Sequence, residues 1–128
     1  MDQDELLPGL VLRARGGFYE IETSHGLISA SLRGRFKQNR SSGELVAVGD
    51  RVKLRRLPDG GAVIEQIEER TRTLSRRSPG RGQEQVIVAN PDQAVFVLSC
   101  ADPEPNFRML DRLLVVAERE ALPALICA

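Results

Sequence analysis

The sequence predicts a mainly β fold, in which a small antiparallel barrel precedes the first elements of an α/β unit. Between residues 9 and 69, short apolar alternations are separated by glycine turns, which is typical of antiparallel strands. From residue 85 onward the apolar residues form continuous runs, which are typical of strands buried on both faces. A segment with helical spacing lies between two of these runs, so we also expect a strand, helix, strand crossover.

The predicted barrel strands follow one another at short intervals. Five segments alternate with turns: residues 10–15, 18–22, 27–32, 50–57 and 62–69. Gly16 and Gly17 suit a tight hairpin that needs positive φ, and residues 58–61 have strong turn chemistry. Five short strands with a long connection after the third fit the partly open Greek-key barrel called the OB-fold. We therefore assign residues 1–69 to an OB-fold domain.

The end of the chain is predicted to begin an α/β domain over residues 86–128. Apolar strands are expected at 85–90, 94–100 and 124–127, with a helix capped by Asn106 and stopped by Pro123. Two parallel strands and one helix cannot cover both faces of a sheet. We therefore expect this α/β unit to be incomplete and the chain to be a fragment.

The composition predicts a soluble chain. Hydrophobic residues make up 41% of 128 residues, and no apolar run approaches the roughly 18 residues that span a bilayer. The acidic N-terminus does not resemble a secretory signal. The two cysteines, Cys100 and Cys127, end apolar runs and are expected to be buried thiols, so we assign no disulfide and no metal site. We expect a cytoplasmic monomer without membrane contacts.

Positive charge is concentrated in one part of this chain of zero net charge. Residues 31–56 contain eight basic residues against two acids. Residues 70–85, predicted to be an Arg-rich linker, contain five arginines, with no acid up to Gln83. Concentrated basic charge attracts polyanions and indicates a nucleic-acid phosphate backbone as partner, although an ordinary solvated face has the same composition.

The candidate RNA-binding residues come from these two segments. We expect phosphate contacts from six cations: Arg33, Arg35, Lys37, Arg40, Arg76 and Arg77. Phe36 and Tyr19 are candidates for base stacking, although Phe36 also suits an apolar anchor for its loop. Phe18 and Tyr19 point to opposite faces of one strand, so at most one of the two lines the core. His25 lies in a predicted turn and is expected to be a surface residue.

The sequence contains no complete catalytic set. We find no glycine-rich phosphate-binding loop ending in lysine and no Asn-Lys-x-Asp motif for guanine. The single histidine has no serine and acid partners at a suitable spacing. We therefore expect the chain alone to bind no cofactor and to be inactive as an enzyme.

Four short motifs, in this order, resemble one known family. They are residues 32–36, 48–52, 89–93 and 110–118. Together they resemble the N-terminal part of the circularly permuted GTPases that depend on the small ribosomal subunit, the RsgA, YjeQ or EngC family. The resemblance implies an N-terminal OB-fold, a central permuted GTPase domain and a C-terminal zinc-binding domain. It also implies a role late in small-subunit maturation.

The resemblance places GTP, Mg and Zn in the full-length family protein and outside this chain, which stops where the guanine motif is expected. It further implies that the barrel docks on the rRNA of the small subunit. Two other functions remain open. The barrel is either a generic single-stranded nucleic-acid-binding protein or an intramolecular regulatory module of the GTPase.

Overall fold

The computed structural model describes residues 5–32, 46–77 and 84–128, and for residues 76, 77, 84 and 85 it describes the backbone only. The basic segment 33–40, with Phe36, lies outside the described residues.

Five strands close into a barrel in the order β1-β2-β3-β5-β4. Their bounds are β1 Leu7–Arg15, β2 Phe18–Thr23, β3 Gly26–Leu32, β4 Arg51–Arg56 and β5 Ala62–Ile67. The pairs are antiparallel except β3 with β5, which run parallel at Ser31 and Leu32. The predicted OB-fold is confirmed, and each predicted strand lies within two or three residues of its observed bounds.

The barrel core follows from the alternation of apolar residues along these strands. Val11 on β1 is paired with Ile21 on β2, and both are fully buried. Leu54 and Ile64, which are paired across β4 and β5, are also fully buried. The register between β1 and β2 shifts at Leu12, an irregularity that brings Arg13 and Arg15 to the outer face.

Tyr19 belongs to this core, so the prediction that it stacks on a base is wrong. Its side chain is 4% exposed and its strand position is paired with Ala14 and Ala30, which line the same interior. The adjacent Phe18 points outward and is 61% exposed. The sequence shows that these two rings face opposite ways, and the register of the barrel decides which of them is inside.

The segment predicted to be a linker contains a strand. β6 (Thr73–Arg77) pairs antiparallel with β7 (Glu84–Ala89) in a two-stranded sheet. The charge, Pro and Gly of residues 70–85 had indicated a linker. The apolar strand at residues 86–89 nevertheless needs a backbone partner, which residues 73–75 supply.

The predicted crossover is confirmed. β8 (Ala94–Val97) and β9 (Ala124–Cys127) are parallel neighbours, and the helix α1 (Phe107–Arg119) connects them. The amide of Met109 donates to the Asn106 side chain at 3.0 Å, which makes Asn106 the helix cap, as predicted.

The strands of this crossover are less buried than predicted. Val97 is 77% exposed, and Val95, Leu125 and Ile126 are each about half exposed. The core here is small and consists of Ala94, Ala117 and Leu122, with Phe96 packed against them. Cys100 is exposed and Cys127 half-buried, so the expectation of buried thiols is wrong for Cys100. A single helix covers too little of the sheet to bury these side chains.

Candidate nucleic-acid interface

The structure places only part of the predicted RNA-binding set. Arg33, Arg35, Lys37, Arg40 and Phe36 lie outside the described residues. Arg76 and Arg77 lie on β6, where their backbones are paired with Gln85 and Glu84. A short stretch of chain separates β6 from the last barrel strand. The backbone of the two arginines therefore belongs to an antiparallel strand pair and not to a linker.

A row of outward-facing residues crosses the barrel wall through successive strand pairings. It is defined here as the Phe18 row. Arg15 on β1 is paired with Phe18 on β2, and Phe18 is paired with Ser31 on β3. Ser31 is paired with Val63 on β5, and Val63 with Arg55 on β4. Because paired residues on one face are direct neighbours, these five side chains form a continuous strip on the outside of the barrel.

The two ends of the Phe18 row differ in electrostatics. Arg55 Nε lies 3.1 Å from Glu65 Oε1, and Glu65 is buried, so the charge of Arg55 is balanced locally. At the other end, no ion pair joins the exposed Arg15 to another residue of the described part of the chain. Within the row, the arginine without an ion pair to the described residues is therefore Arg15, beside Phe18.

A second, parallel row adds one further cation next to Phe18. Arg13 is paired with Glu20, which is paired with Ser29. Arg13 Nε lies 3.7 Å from Glu20 Oε2, and both side chains are about half exposed or more. Such a long, solvated pair contributes little stability and leaves Arg13 available to another anion. A shallow open depression is lined by Arg13, Arg15, Phe18, Tyr19, Glu20 and Ser29.

His25 is exposed in the turn between β2 and β3, as predicted. Its backbone N–H donates to Thr23 Oγ1 at 3.1 Å, and its side chain lies in no group of potential metal ligands among the described residues. The histidine is a turn residue here.

A buried ion pair joins the barrel to the chain that follows it. Asp50 is fully buried, and its two carboxylate oxygens accept hydrogen bonds from Nε and Nη2 of Arg70 at 2.8 and 2.7 Å. One of them also accepts the backbone N–H of Ala47 at 2.8 Å. The hydrogen bond to Asp50 raises the pKa of Arg70, burial opposes this, and the charge of Asp50 adds to it. The bidentate geometry gives both strength and direction to the contact.

Asn90 makes a second connection between the barrel and the chain that follows it. The Asp50–Arg70 pair and the contacts of Asn90 are together called the joint. Its side-chain N–H₂ donates to the carbonyl of Gly49 at 3.0 Å, and its Oδ1 accepts the backbone N–H of Thr71 at 2.8 Å. The backbone N–H of Ala89 donates to Val48 O at 2.8 Å. The turn before β4 and the end of β7 are thereby held together. In the sequence, Asp50 and Asn90 stand out only as members of two short motifs, and their contacts were not predicted. The local signal for this joint is Gly49, the glycine beside Asp50.

The described residues contain neither a group of potential metal ligands nor a membrane-spanning helix. No three His, Cys, Asp or Glu side chains converge in residues 5–32, 46–77 and 84–128. The positive-φ turn at Gly60 leads into strand β5, so it presents no helix N-terminus to a phosphate. In the same described ranges, no helix has the length and apolar character needed to cross a membrane.

Comparison with known proteins yields one family. A family model described as the RsgA N-terminal domain matches residues 8–64, and a second one, described as the RsgA GTPase, matches residues 67–128. The small ribosomal subunit biogenesis GTPase RsgA of Gemmatimonas aurantiaca is 43% identical over 122 residues, covering 92% of this chain and 40% of the relative. The protein of the same name from Chlorobaculum tepidum is 43% identical over 133 residues, covering 95% of this chain and 42% of the relative.

Two solved structures are similar over almost the whole chain. YjeQ from Thermotoga maritima superposes with a TM-score of 0.68 at 27% identity, covering 95% of this chain and 40% of that one. YloQ, described as a circularly permuted GTPase, superposes with a TM-score of 0.66 at 29% identity, covering 98% and 41%. The chain thus spans about two fifths of the length of the relatives it matches. It belongs to the RsgA family and resembles the N-terminal part of the family's proteins.

Proposed function

We propose that the barrel is the rRNA-binding module of a cytoplasmic GTPase that acts late in small-subunit maturation. In this proposal the barrel seats the protein on the small subunit, and GTP hydrolysis belongs to the part of the family protein that this chain does not match. The observation that carries the proposal is an OB-fold barrel with two exposed arginines on its outer wall: Arg15, which has no ion pair with the described residues, and Arg13, whose only described ion pair is the long, solvated one with Glu20. OB-folds bind oligonucleotides on such walls and on the loops beside them.

Two further facts support the same partner. Residues 31–56 contain six more basic residues than acids in a chain whose net charge is zero. Curated relatives at 43% identity are named small ribosomal subunit biogenesis GTPases. Phosphate contacts from Arg33, Arg35, Lys37, Arg40, Arg76 and Arg77 are part of the proposal.

Charge reversal tests this function. We expect the double variant Arg33→Glu with Arg35→Glu to bind purified small subunits about tenfold more weakly or worse. Each phosphate contact releases counterions from the RNA and so favours binding, and this contribution is lost with the contact. The dependence of log affinity on log salt should become shallower by about one to two units. Sedimentation or filter binding over a salt series measures both quantities.

The matched control reverses two arginines away from the barrel. Arg108 and Arg112 are exposed on α1, so Arg108→Glu with Arg112→Glu makes the same change in net charge. We expect this control to bind like the unmodified chain within about threefold. Equal loss in both double variants would mean that net charge alone attracts the subunit, and no loss in either would refute the proposed phosphate contacts.

A second candidate function is supported by the joint. The Asp50–Arg70 pair and the Asn90 bridge fasten the barrel to the segment that matches the GTPase model, so a barrel that regulates its own GTPase domain has a physical connection to it. This candidate predicts that Asp50→Asn, in a protein carrying a complete GTPase domain, changes GTP turnover in the absence of RNA. An unchanged turnover rate without RNA would leave rRNA seating as the role of the barrel.

A further inference from the structure

The Phe18 side chain is exposed on the outer wall of the barrel. It is 61% exposed on a strand that is paired on both sides, with Arg15 and with Ser31. The hairpin before it is fixed by Gly16 and Gly17, whose φ angles are +57° and +84°. The ring is therefore held on a rigid wall and not on a mobile loop, and Tyr19 fills the core from the same strand without it.

Single exposed apolar residues are common, so exposure alone indicates nothing. The neighbours of Phe18 are what distinguish it. Arg15 lies directly across the hairpin, and Arg13 borders the same shallow depression, together with Ser29 and Glu20. One aromatic face bordered by two guanidinium groups matches a nucleotide, which combines a flat base with a charged phosphate.

We propose that Phe18 stacks on an unpaired base of RNA while Arg15 and Arg13 contact the phosphates next to that base. The proposal rests on the proposed function, because it specifies how the barrel binds RNA. The proposed ligand of this wall is a single-stranded RNA segment and not a duplex. The bases of a duplex are stacked on one another and cannot stack on a protein ring. Stacking tolerates every base, so we infer little sequence preference.

Glu20 is the one acid in this depression, and it is paired with Arg13 at 3.7 Å. Because both side chains are solvated, a phosphate can take the place of Glu20 beside Arg13 at little cost. A protein partner fits the site less well. Four of the six residues that line the depression are charged or polar, and only Phe18 and Tyr19 are aromatic, whereas the centres of protein interfaces are apolar over a larger area.

The experiment measures binding of the 128-residue chain to a fluorescently labelled single-stranded hexa-adenylate at low salt. We expect Phe18→Ala to weaken this binding by about fivefold or more, the range found for loss of one stacked base. Phe18→Tyr keeps the ring and should bind within about twofold of the unmodified chain. Leu27→Ala is the control, since Leu27 is 65% exposed on β3 and its truncation should leave the affinity unchanged.

Thermal unfolding of each variant shows that the barrel remains folded, as expected for changes at exposed positions. The proposal is overturned if Phe18→Ala binds the oligonucleotide as tightly as the unmodified chain, or if the unmodified chain does not bind it. It is also overturned if Phe18→Ala loses affinity for small subunits but not for the oligonucleotide, because the ring would then contact a ribosomal protein.

These results are separable from the proposed function. A chain that binds hexa-adenylate through Phe18 but does not bind small subunits supports the stacking site and refutes rRNA seating. A chain that binds subunits and is sensitive to Arg33 and Arg35 reversal, but insensitive to Phe18→Ala in both assays, supports rRNA seating and refutes the stacking site.

Discussion

Gly49, in the turn before β4, lies directly against the backbone of Ala89 at the end of β7. Its φ is +94°, and a Cβ at this position would overlap the carbonyl oxygen of Ala89. Both the backbone conformation and the contact therefore require glycine. The close approach brings Asn90, the residue after Ala89, within hydrogen-bonding distance of the Gly49 carbonyl.

We predict that Gly49→Ala lowers the free energy of unfolding by about 3 kcal/mol or more, because left-handed strain adds to a clash with backbone atoms. Gly60→Ala is the matched control. Gly60 has a φ of +91°, but a Cβ there meets nothing within 4 Å, so only the strain of about 1 kcal/mol remains. Urea denaturation of both variants measures the two free energies of unfolding. Equal losses of stability would show that the contact with Ala89 does not contribute to the effect.

Asp50 is the other residue on which the joint depends. We predict that Asp50→Asn destabilises the chain by about 3 kcal/mol, because the guanidinium of Arg70 is left part-buried without its bidentate partner. Asp59→Asn is the control for the same chemical change. Asp59 is exposed and its Oδ1 accepts the backbone N–H of Gly61 at 2.9 Å within the same turn, so the loss in this variant should stay below about 1 kcal/mol. A comparable effect at both sites, measured by thermal or urea unfolding, would contradict the importance of the buried pair.

At the scale of elements, the stability of the helix α1 depends on the Asn106 cap at its first turn. Its buried face in the described chain is narrow and contains Leu110 and Ala117. Packing therefore contributes little, and local effects such as capping have greater weight in the helical state.

We predict that Asn106→Ala removes about 1 kcal/mol from the stability of this helix, because the amide of Met109 loses its acceptor. Ellipticity at 222 nm, followed against temperature, should decline earlier in this variant. Asn106→Asp keeps an acceptor oxygen at the same place and should preserve the transition. The same early decline in Asn106→Asp would mean that the cap is not the cause.

The hairpin shows how an element is decided by its partner. Nothing within residues 73–77 alternates strongly enough to predict a strand, and the arginines, Pro79 and glycines that follow suggest a linker. The strand forms because the apolar residues 86–89 lie antiparallel to it. Such pairing is non-local, so propensity within a short window does not reveal it.

Across the whole molecule, apolar burial is unequal. In the described part of the chain the core cluster of the barrel contains ten buried residues, whereas that of the crossover contains three. Valine, leucine and isoleucine side chains on β8 and β9 remain about half exposed or more. Hydrophobic stabilisation scales with the apolar area removed from water, so the two parts differ in stability.

We predict that urea unfolds the chain in two steps. Tyr19 is the only tyrosine, the chain has no tryptophan, and this ring lies in the barrel core, so intrinsic fluorescence reports on the barrel. The helix signal at 222 nm should be lost at lower urea than the tyrosine signal. Coincident transitions would contradict this expectation and would mean that the joint at Asp50 and Asn90 makes the two parts cooperative.

The amino-acid sequence by itself determined the features that depend on neighbours along the chain. The alternating strands, the glycine turns, the Asn106 cap and the helical spacing of α1 each arise from interactions over a few residues, and the order of four short motifs indicated the family. The unequal distribution of basic residues was equally evident.

Only the tertiary structure decided which face of each strand is inside and which distant residues meet. It buried Tyr19 and exposed Phe18, paired β6 with β7, and joined Asp50 to Arg70 and Asn90 to Gly49. The physical reason is that strand register and long-range contacts are set by the packing of the whole barrel, and a one-residue shift in register exchanges the inner and outer side chains.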